Sequence, residues 1–184
     1  MDIRTKRLLL RELTPDDWPV IFAYQNEPLY LRYYPWTERP EADVRAFLKM
    51  LIDYQSEQPR RKCQLAITLP ETGDLIGNCG IRRKPDSERE ADIGYELAPA
   101  HWGRGYATEA VRALVKLGFR EWRLHRISAW CVADNVGSAR VLEKAGLRLE
   151  GRLCENQYYK DRWWDTLLYG LLVDEWREQG SVGA

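Results

Sequence analysis

No surplus charge of either sign marks this sequence, in which 28 lysines and arginines offset 28 aspartates and glutamates. Nothing in that balance draws the chain towards nucleic acid or an anionic membrane. Long apolar runs are missing too. The longest nearly apolar run, LLYGLLV at 167–173, is far too short to span a bilayer. The amino terminus, MDIRTKRLLLRE, flanks three leucines with charges and has no signal-peptide core, so a cytoplasmic protein is expected. Histidines number only two, His101 and His125, with no carboxylate paired to either in the sequence.

Cysteines are few and scattered. Cys63, Cys79, Cys131 and Cys154 form none of the close pairs that zinc sites use, and no metal is expected. Each sits in or beside an apolar, strand-like run, where a reduced thiol behaves as a small core residue. Repeats and low-complexity tracts are absent, and the length suits one domain over residues 1–184.

What the sequence does have is an alternation of strands and helices. Residues 7–12 (RLLLRE) read as a strand, and Thr14, Pro15, Asp16 and Asp17 as the start of a helix running to Gln25. Residues 27–40 are aromatic, interrupted by prolines, and read as a loop. A second helix over 41–56 carries the apolar stripe Val44, Phe47, Leu48, Leu51 and Ile52. A hairpin follows at 63–69 and 75–81, then a strand at 91–97, a helix at 107–120 and a strand at 126–132. The next helix, 133–146, is capped by Asp134 or Asn135 and closed by Gly146. Two strands, 147–156 and 163–172, precede a short terminal helix. This order predicts an α/β (α+β) fold, a mixed sheet with helices on both faces.

The stretch HWGRGYATEA (101–110) puts two glycines between a strand and a helix, a setting in which a row of backbone N–H groups binds phosphate. Three patterns compete for it. A Walker A loop needs Gly-Lys-Ser/Thr, which does not occur. A dinucleotide fingerprint needs G-x-G-x-x-G after a domain's first strand, whereas Thr108 holds the third position here and four strands come earlier. The acetyl-CoA loop, Gln/Arg-x-x-Gly-x-Gly/Ala, is matched at Gly105 and Ala107 but is led by Trp102.

The longer segment YELAPAHWGRGYATEAVRALVKLGF resembles the GNAT superfamily of acyl-CoA-dependent N-acyltransferases. It looks most like the RimJ/RimL branch of ribosomal-protein N-acetyltransferases, in which tryptophan commonly leads the loop. TKRLLLRELTPDDW, HRISAWCVADNVGSARVLEKAGLRLEGRL and WWDTLLYGLLVDEW resemble further segments of that branch, in the expected order over nearly the whole chain. Leu147 stands where phenylalanine is usual.

The resemblance implies a GNAT fold of about seven strands, splayed between the fourth and fifth, 91–97 and 126–132. The pantetheine arm of acetyl-CoA would lie in that gap, paired with backbone groups around Ile93, Tyr95 and Leu97. Its pyrophosphate would rest on the amides of Gly103, Arg104, Gly105, Tyr106, Ala107 and Thr108, behind Trp102. Acetyl would pass directly to a primary amine in a ternary complex. Asn135 would orient the pantetheine or cap the helix. Ser138 would protonate the departing thiolate, or merely serve the helix start.

An alkyl ammonium has a pKa near that of lysine, about 10.4, so a base must remove a proton before attack. Glu96, beside the splayed strand, is the candidate. The period-2 alternation of a strand equally allows it to point away into solvent. Tyr30, Tyr33, Tyr34 and Trp36, with Trp163 and Trp164, either wall the acceptor cleft or fill core and oligomer contacts such as those of a homodimer. Asp165 either holds an amine or caps a turn. The acceptor stays open between a protein N-terminal amine and a small amine such as a polyamine or antibiotic. Two other classes compete with the enzyme: a non-catalytic acyl-CoA sensor and a nucleotide-binding enzyme with a similar loop.

Overall fold

Two hydrophobic periods, 2.0 along the strands and 3.6 along the helices, set the architecture. The computed structural model describes residues 1–181 and places the strands in one eight-stranded sheet. The strands are β1 (Ile3–Arg4), β2 (Leu9–Glu12), β3 (Lys62–Thr68), β4 (Leu75–Arg83), β5 (Glu90–Leu97), β6 (Arg126–Val132), β7 (Arg148–Tyr159) and β8 (Arg162–Leu172). The helices are α1 (Trp18–Gln25), α2 (Pro28–Leu31), α3 (Glu41–Asp53), α4 (Tyr106–Lys116), α5 (Val136–Lys144) and α6 (Val173–Ser181). Spatial order is β1-β2-β3-β4-β5-β6-β8-β7, antiparallel throughout except where β5 meets β6.

Helices cover both faces, but unequally. On one face α4 and α5 bury Ala110, Val111, Leu114, Val115, Ala139 and Leu142 against Leu65, Ile67, Ile81 and Ile127. On the other, α1, α2 and α3 pack Ile21, Tyr24, Tyr30, Val44, Leu48 and Leu51 over Ala66. This second layer stops short of β6, where Trp130 stands 61% exposed. A side chain at Gly118 would come within 2.8 Å of the ends of Ile81 and Ile127. The chain after α4 can therefore lie close on the sheet only through a glycine.

Several expected boundaries shift for local reasons. The strand expected over 7–12 begins at Leu9, and a short strand not expected from the sequence, β1, pairs with it and brings the total to eight. The first helix opens with a 3₁₀ turn, Pro15–Asp17, and becomes α-helical at Trp18. Pro19 has no N–H to donate, so it must fall in the first turn. The expected loop at 27–40 contains α2, which Pro28 starts in the same way. The helix expected to span 107–120 ends at Lys116 and runs on into a wider, π-type turn, Leu117–Glu121. α5 begins later than expected, after its Asn135 cap. β7 and β8 form one long hairpin turned by Lys160 and Asp161, both at positive φ (52° and 56°), which suits the twist of the paired strands.

Three cysteines are buried as expected, and burial pushes the thiols of Cys63 and Cys131 up to about 11. Cys154 instead lies exposed on the edge strand β7, so its core assignment is corrected. Among the described residues, no helix is long and apolar enough to cross a membrane.

Asp17 ties α1 to β2. Its carboxylate accepts from the Thr14 N–H at 2.8 Å and pairs with Arg11 at 2.7 Å. Burial raises its pKa, but the hydrogen bonds from Arg11 and Thr14 outweigh burial and hold it below the ordinary value. A depressed folded pKa contributes stability above the unfolded value, near 3.9, that is lost as pH falls through the folded value. Asp17→Asn is therefore expected to lower the urea midpoint at pH 7 and to flatten its decline below about pH 4, where the wild type loses this contribution. Parallel declines in the two proteins would count against the assignment.

Candidate active site

β5 and β6 pair over three positions only, Glu90↔Arg126, Ala91↔Ile127 and Asp92↔Ser128. Beyond them β5 stays on β4 as far as Leu97↔Gly77, while β6 stays on β8 as far as Val132↔Thr166. Each strand follows its own antiparallel partner, and a gap opens from Ile93 onward. The backbone groups of 93–97 that face the gap have no strand partner there, so an extended ligand carrying amides could take its place.

At the open end the chain turns. Trp102 donates its indole N–H to the Leu97 carbonyl at 2.9 Å, which folds the loop back over the end of β5. Gly103 (φ 73°) and Gly105 (φ 80°) then adopt left-handed conformations, and Gly105 leads directly into α4. The Glu109 N–H already bonds the Gly105 carbonyl at 3.1 Å. The amides ahead of it are those that a helix start leaves unpaired, and no side chain caps them. Arg7 holds the loop from the other side, donating to the Arg104 carbonyl at 2.9 Å and to Glu109 at 2.8 Å. Thr5 also donates to Glu109, at 2.7 Å. Burial raises the Glu109 carboxyl, and the bonds from Thr5 and Arg7 bring it below its usual range. A groove of about 930 Å³ runs beside this loop, with Arg4, Lys6, Arg104, Arg112, Lys116 and Lys144 along it.

The expected site residues fall on opposite faces of the sheet. Ile93 and Leu97 are buried towards α4. Tyr95 shares that side, and its hydroxyl reaches α5, lying 2.8 Å from Ser138 Oγ and donating to the Ser138 carbonyl at 3.0 Å. Burial holds the phenol protonated well above its usual range. Asn135 caps α5, its Oδ1 accepting from the Ser138 N–H at 3.0 Å. Tyr95, Ser138 and the buried thiol of Cys131 thus meet below the gap, since Cys131 lies within reach of the Ser138 hydroxyl.

Glu96 points the other way, but not into open solvent. The register Asn78↔Glu96 puts it on the face covered by α1 to α3. Its Oε1 accepts from Tyr24 at 2.7 Å, from Gln25 at 2.8 Å and from Asn78, and its Oε2 accepts from Tyr30. All four donors are neutral. Burial first, and then the adjacent carboxylate, raise Tyr24 and Tyr30 far above the ordinary phenol value, so they remain donors. Gln25 Oε1 is buried without a hydrogen-bond partner among the described residues.

Sequence reasoning missed Tyr24, Gln25 and Asn78. Only Asn78 gave a signal, as an amide inside the apolar run LIGNCGI. The aromatic residues divide into two groups. Tyr30, Tyr34 and Trp36 stack in series at 4.8 and 5.0 Å, while Tyr33 meets Trp164 edge-on and Trp164 stacks on Tyr159. Trp163 is 54% exposed beside Tyr158. Asp165 pairs with Arg152 and accepts the Glu155 N–H at 2.7 Å, which gives it a place in the β7 bulge.

A mixed sheet opened at its parallel pair, with a glycine turn and an uncapped helix at the mouth, defines an acyltransferase of the N-acetyltransferase class. The family model described as acetyltransferase (GNAT) domain matches residues 7–148, and the chain belongs to that family. It is similar to the uncharacterized N-acetyltransferase YnaD of Bacillus subtilis, 34% identical over 96% of this chain and 99% of that protein. A crystal structure of a GNAT-family acetyltransferase from Bacillus anthracis superposes with a TM-score of 0.82 at 31% identity, covering 95% of this chain and 99% of that one. The ribosomal-protein-serine acetyltransferase of Escherichia coli is 32% identical over 101 residues, 55% of this chain and 56% of that protein, in keeping with the RimJ/RimL-type branch. The protein is thus an acetyl-CoA-dependent N-acyltransferase.

Asn135→Ala is expected to destabilise the protein by about 1 kcal/mol in urea denaturation, with Asn135→Asp close to wild type, because α5 loses or keeps its cap. Equal stability of the alanine variant would mean that the cap contributes nothing.

Proposed function

We propose that this protein, working as one domain, moves the acetyl group of acetyl-CoA directly onto a primary alkyl amine held with it in a ternary complex. One observation carries the reading: the β5–β6 gap has a glycine turn and an uncapped helix start at its mouth, a hydroxyl pair on one face and a carboxylate on the other. In this reading the pantetheine lies in the gap along Ile93, Tyr95 and Leu97. The pyrophosphate sits on the amides from Gly103 to Thr108, behind Trp102, at the positive end of α4. The open space at Gly103 and the free face of the loop fit such a group.

Glu96 draws the proton from the amine, directly or through water. The amine nitrogen attacks the thioester carbonyl carbon, the new C–N bond forms and the C–S bond breaks. The departing thiolate takes a proton from the Ser138 hydroxyl, which Tyr95 orients, and the second proton shed by the nitrogen as the amide forms passes through water to restore that hydroxyl. The acceptor is read as a protein N-terminal amine, a reading supported by the activity that names the Escherichia coli relative. A small amine is the second reading, favoured by the neutral ring of donors around Glu96, which would serve any alkyl ammonium. A CoA-release screen over peptide termini, polyamines and aminoglycosides separates the two.

Two results test the site. Gly105→Val puts a β-branched residue at φ 80° and crowds the loop, so calorimetry should find acetyl-CoA binding lost while the far-ultraviolet circular dichroism is kept. Tight binding by this variant would sink the loop assignment. Ser138→Ala and Glu96→Gln should each lower kcat by roughly a hundredfold or more, with acetyl-CoA affinity little changed. Full turnover of Glu96→Gln across pH would place the base elsewhere.

A further inference from the structure

Trp130 is the largest side chain near the gap to which neither the fold nor the proposed chemistry gives a role. The last β5–β6 pair is Asp92↔Ser128, so Gly94 and Trp130 stand level on the two sides of the opening. By strand alternation Asp92, Gly94 and Glu96 share a face, and Ser128 and Trp130 continue it across the gap. This is the face that α1 to α3 leave uncovered at β6, and the indole there is 61% exposed. Gly94 contributes no side chain opposite it.

Among the described residues, the carboxylates Asp92, Asp134 and Asp165 each have a cationic partner. Asp92 pairs with Arg82, whose guanidinium lies beside Gly94. Asp134 pairs with Arg162, and Asp165 with Arg152. Glu96 alone among these carboxylates is held by neutral donors, Tyr24, Tyr30, Gln25 and Asn78. Those donors orient the carboxylate without neutralising it. An anion fixed in this way, two positions along β5 from Gly94 on the face that the exposed Trp130 shares across the gap, makes a place for a cation, and tryptophan is the strongest cation–π partner among the side chains.

We propose that Trp130 is a specificity-determining residue of the acceptor subsite, and that with Glu96 it selects amines that arrive as alkyl ammonium cations over neutral or anionic ones. The inference rests on the reading of the gap as the acetyl-transfer site and names the chemical class that enters it. Weakly basic aryl amines and hydrazides, uncharged at neutral pH, fall outside the class.

Thioether analogues of the donor test this whichever amine is the acceptor. S-(2-aminoethyl)-CoA carries an ammonium close to where the attacking nitrogen would stand, and S-propyl-CoA is its neutral counterpart. Calorimetry with wild type is expected to show the aminoethyl compound binding roughly tenfold more tightly than the propyl compound. Trp130→Ala should erase most of that preference, Trp130→Phe should keep part of it, and Glu96→Gln should also diminish it. CoA itself should bind all four proteins alike.

Equal affinity of wild type for the two analogues would overturn the proposal, as would a full preference in Trp130→Ala. If sedimentation shows that Trp130→Ala changes the oligomeric state while the preference survives, the indole is a contact between copies and the proposal also fails. Failure of wild type to bind CoA would instead strike at the coenzyme assignment, which makes the two failures distinguishable.

Discussion

The site depends on the loyalty of β5 and β6 to different neighbours. After three paired positions each strand keeps its antiparallel partner and gives up the other. Antiparallel ladders are slightly the more stable per residue, and every strand twists, so the parallel seam is where the sheet opens. The opening leaves backbone groups unpaired inside an otherwise continuous sheet. It also gives the two faces access to one point, with Tyr95 and Ser138 on the α4–α5 side and Glu96 on the α1–α3 side.

The mouth of the gap follows from the same constraint. β5 ends at Leu97, and the chain must turn sharply to lay α4 back on the sheet. Two glycines at positive φ make the turn, the Trp102 indole fastens it to the end of β5, and Arg7 and Thr5 brace α4 through Glu109. Arg7 also donates to the Arg104 carbonyl and so holds the loop itself. A local turn and an ion pair between residues distant in sequence thus act together to fix the shape of the entrance.

Much of the fold was legible because its signals are local. The strands at 75–83, 90–97 and 126–132 and helix α3 appear close to where hydrophobic period and flanking residues put them. Boundaries moved where a single residue outweighed the pattern, as Pro19 did in delaying α1 and Pro28 in starting α2. The loop from Gly103 to Thr108 was legible in the same way, through glycines between a strand and a helix. The surroundings of Glu96 were not. Tyr24, Gln25 and Tyr30 come from helices some seventy residues earlier in the chain, and only the packing of α1 and α2 on the sheet brings them to the carboxylate. Cys154 was misplaced for a related reason: its run looks like a core strand, but the strand lies at the sheet's edge.

By itself the sequence determined the alternation of elements, the glycine turn ahead of α4 and a cap for α5 at Asp134 or Asn135, because each depends on residues within a few positions of one another. It left open which way Glu96 faces, since alternation gives two equivalent answers until the sheet's neighbours are known. Tertiary structure decided that. The register of β5 on β4 set the face, and the helices packed on it supplied three neutral donors, with Asn78 of β4 the fourth. The register of β5 on β6 set Trp130 level with Gly94 across the gap, a relation between strands that no local pattern contains.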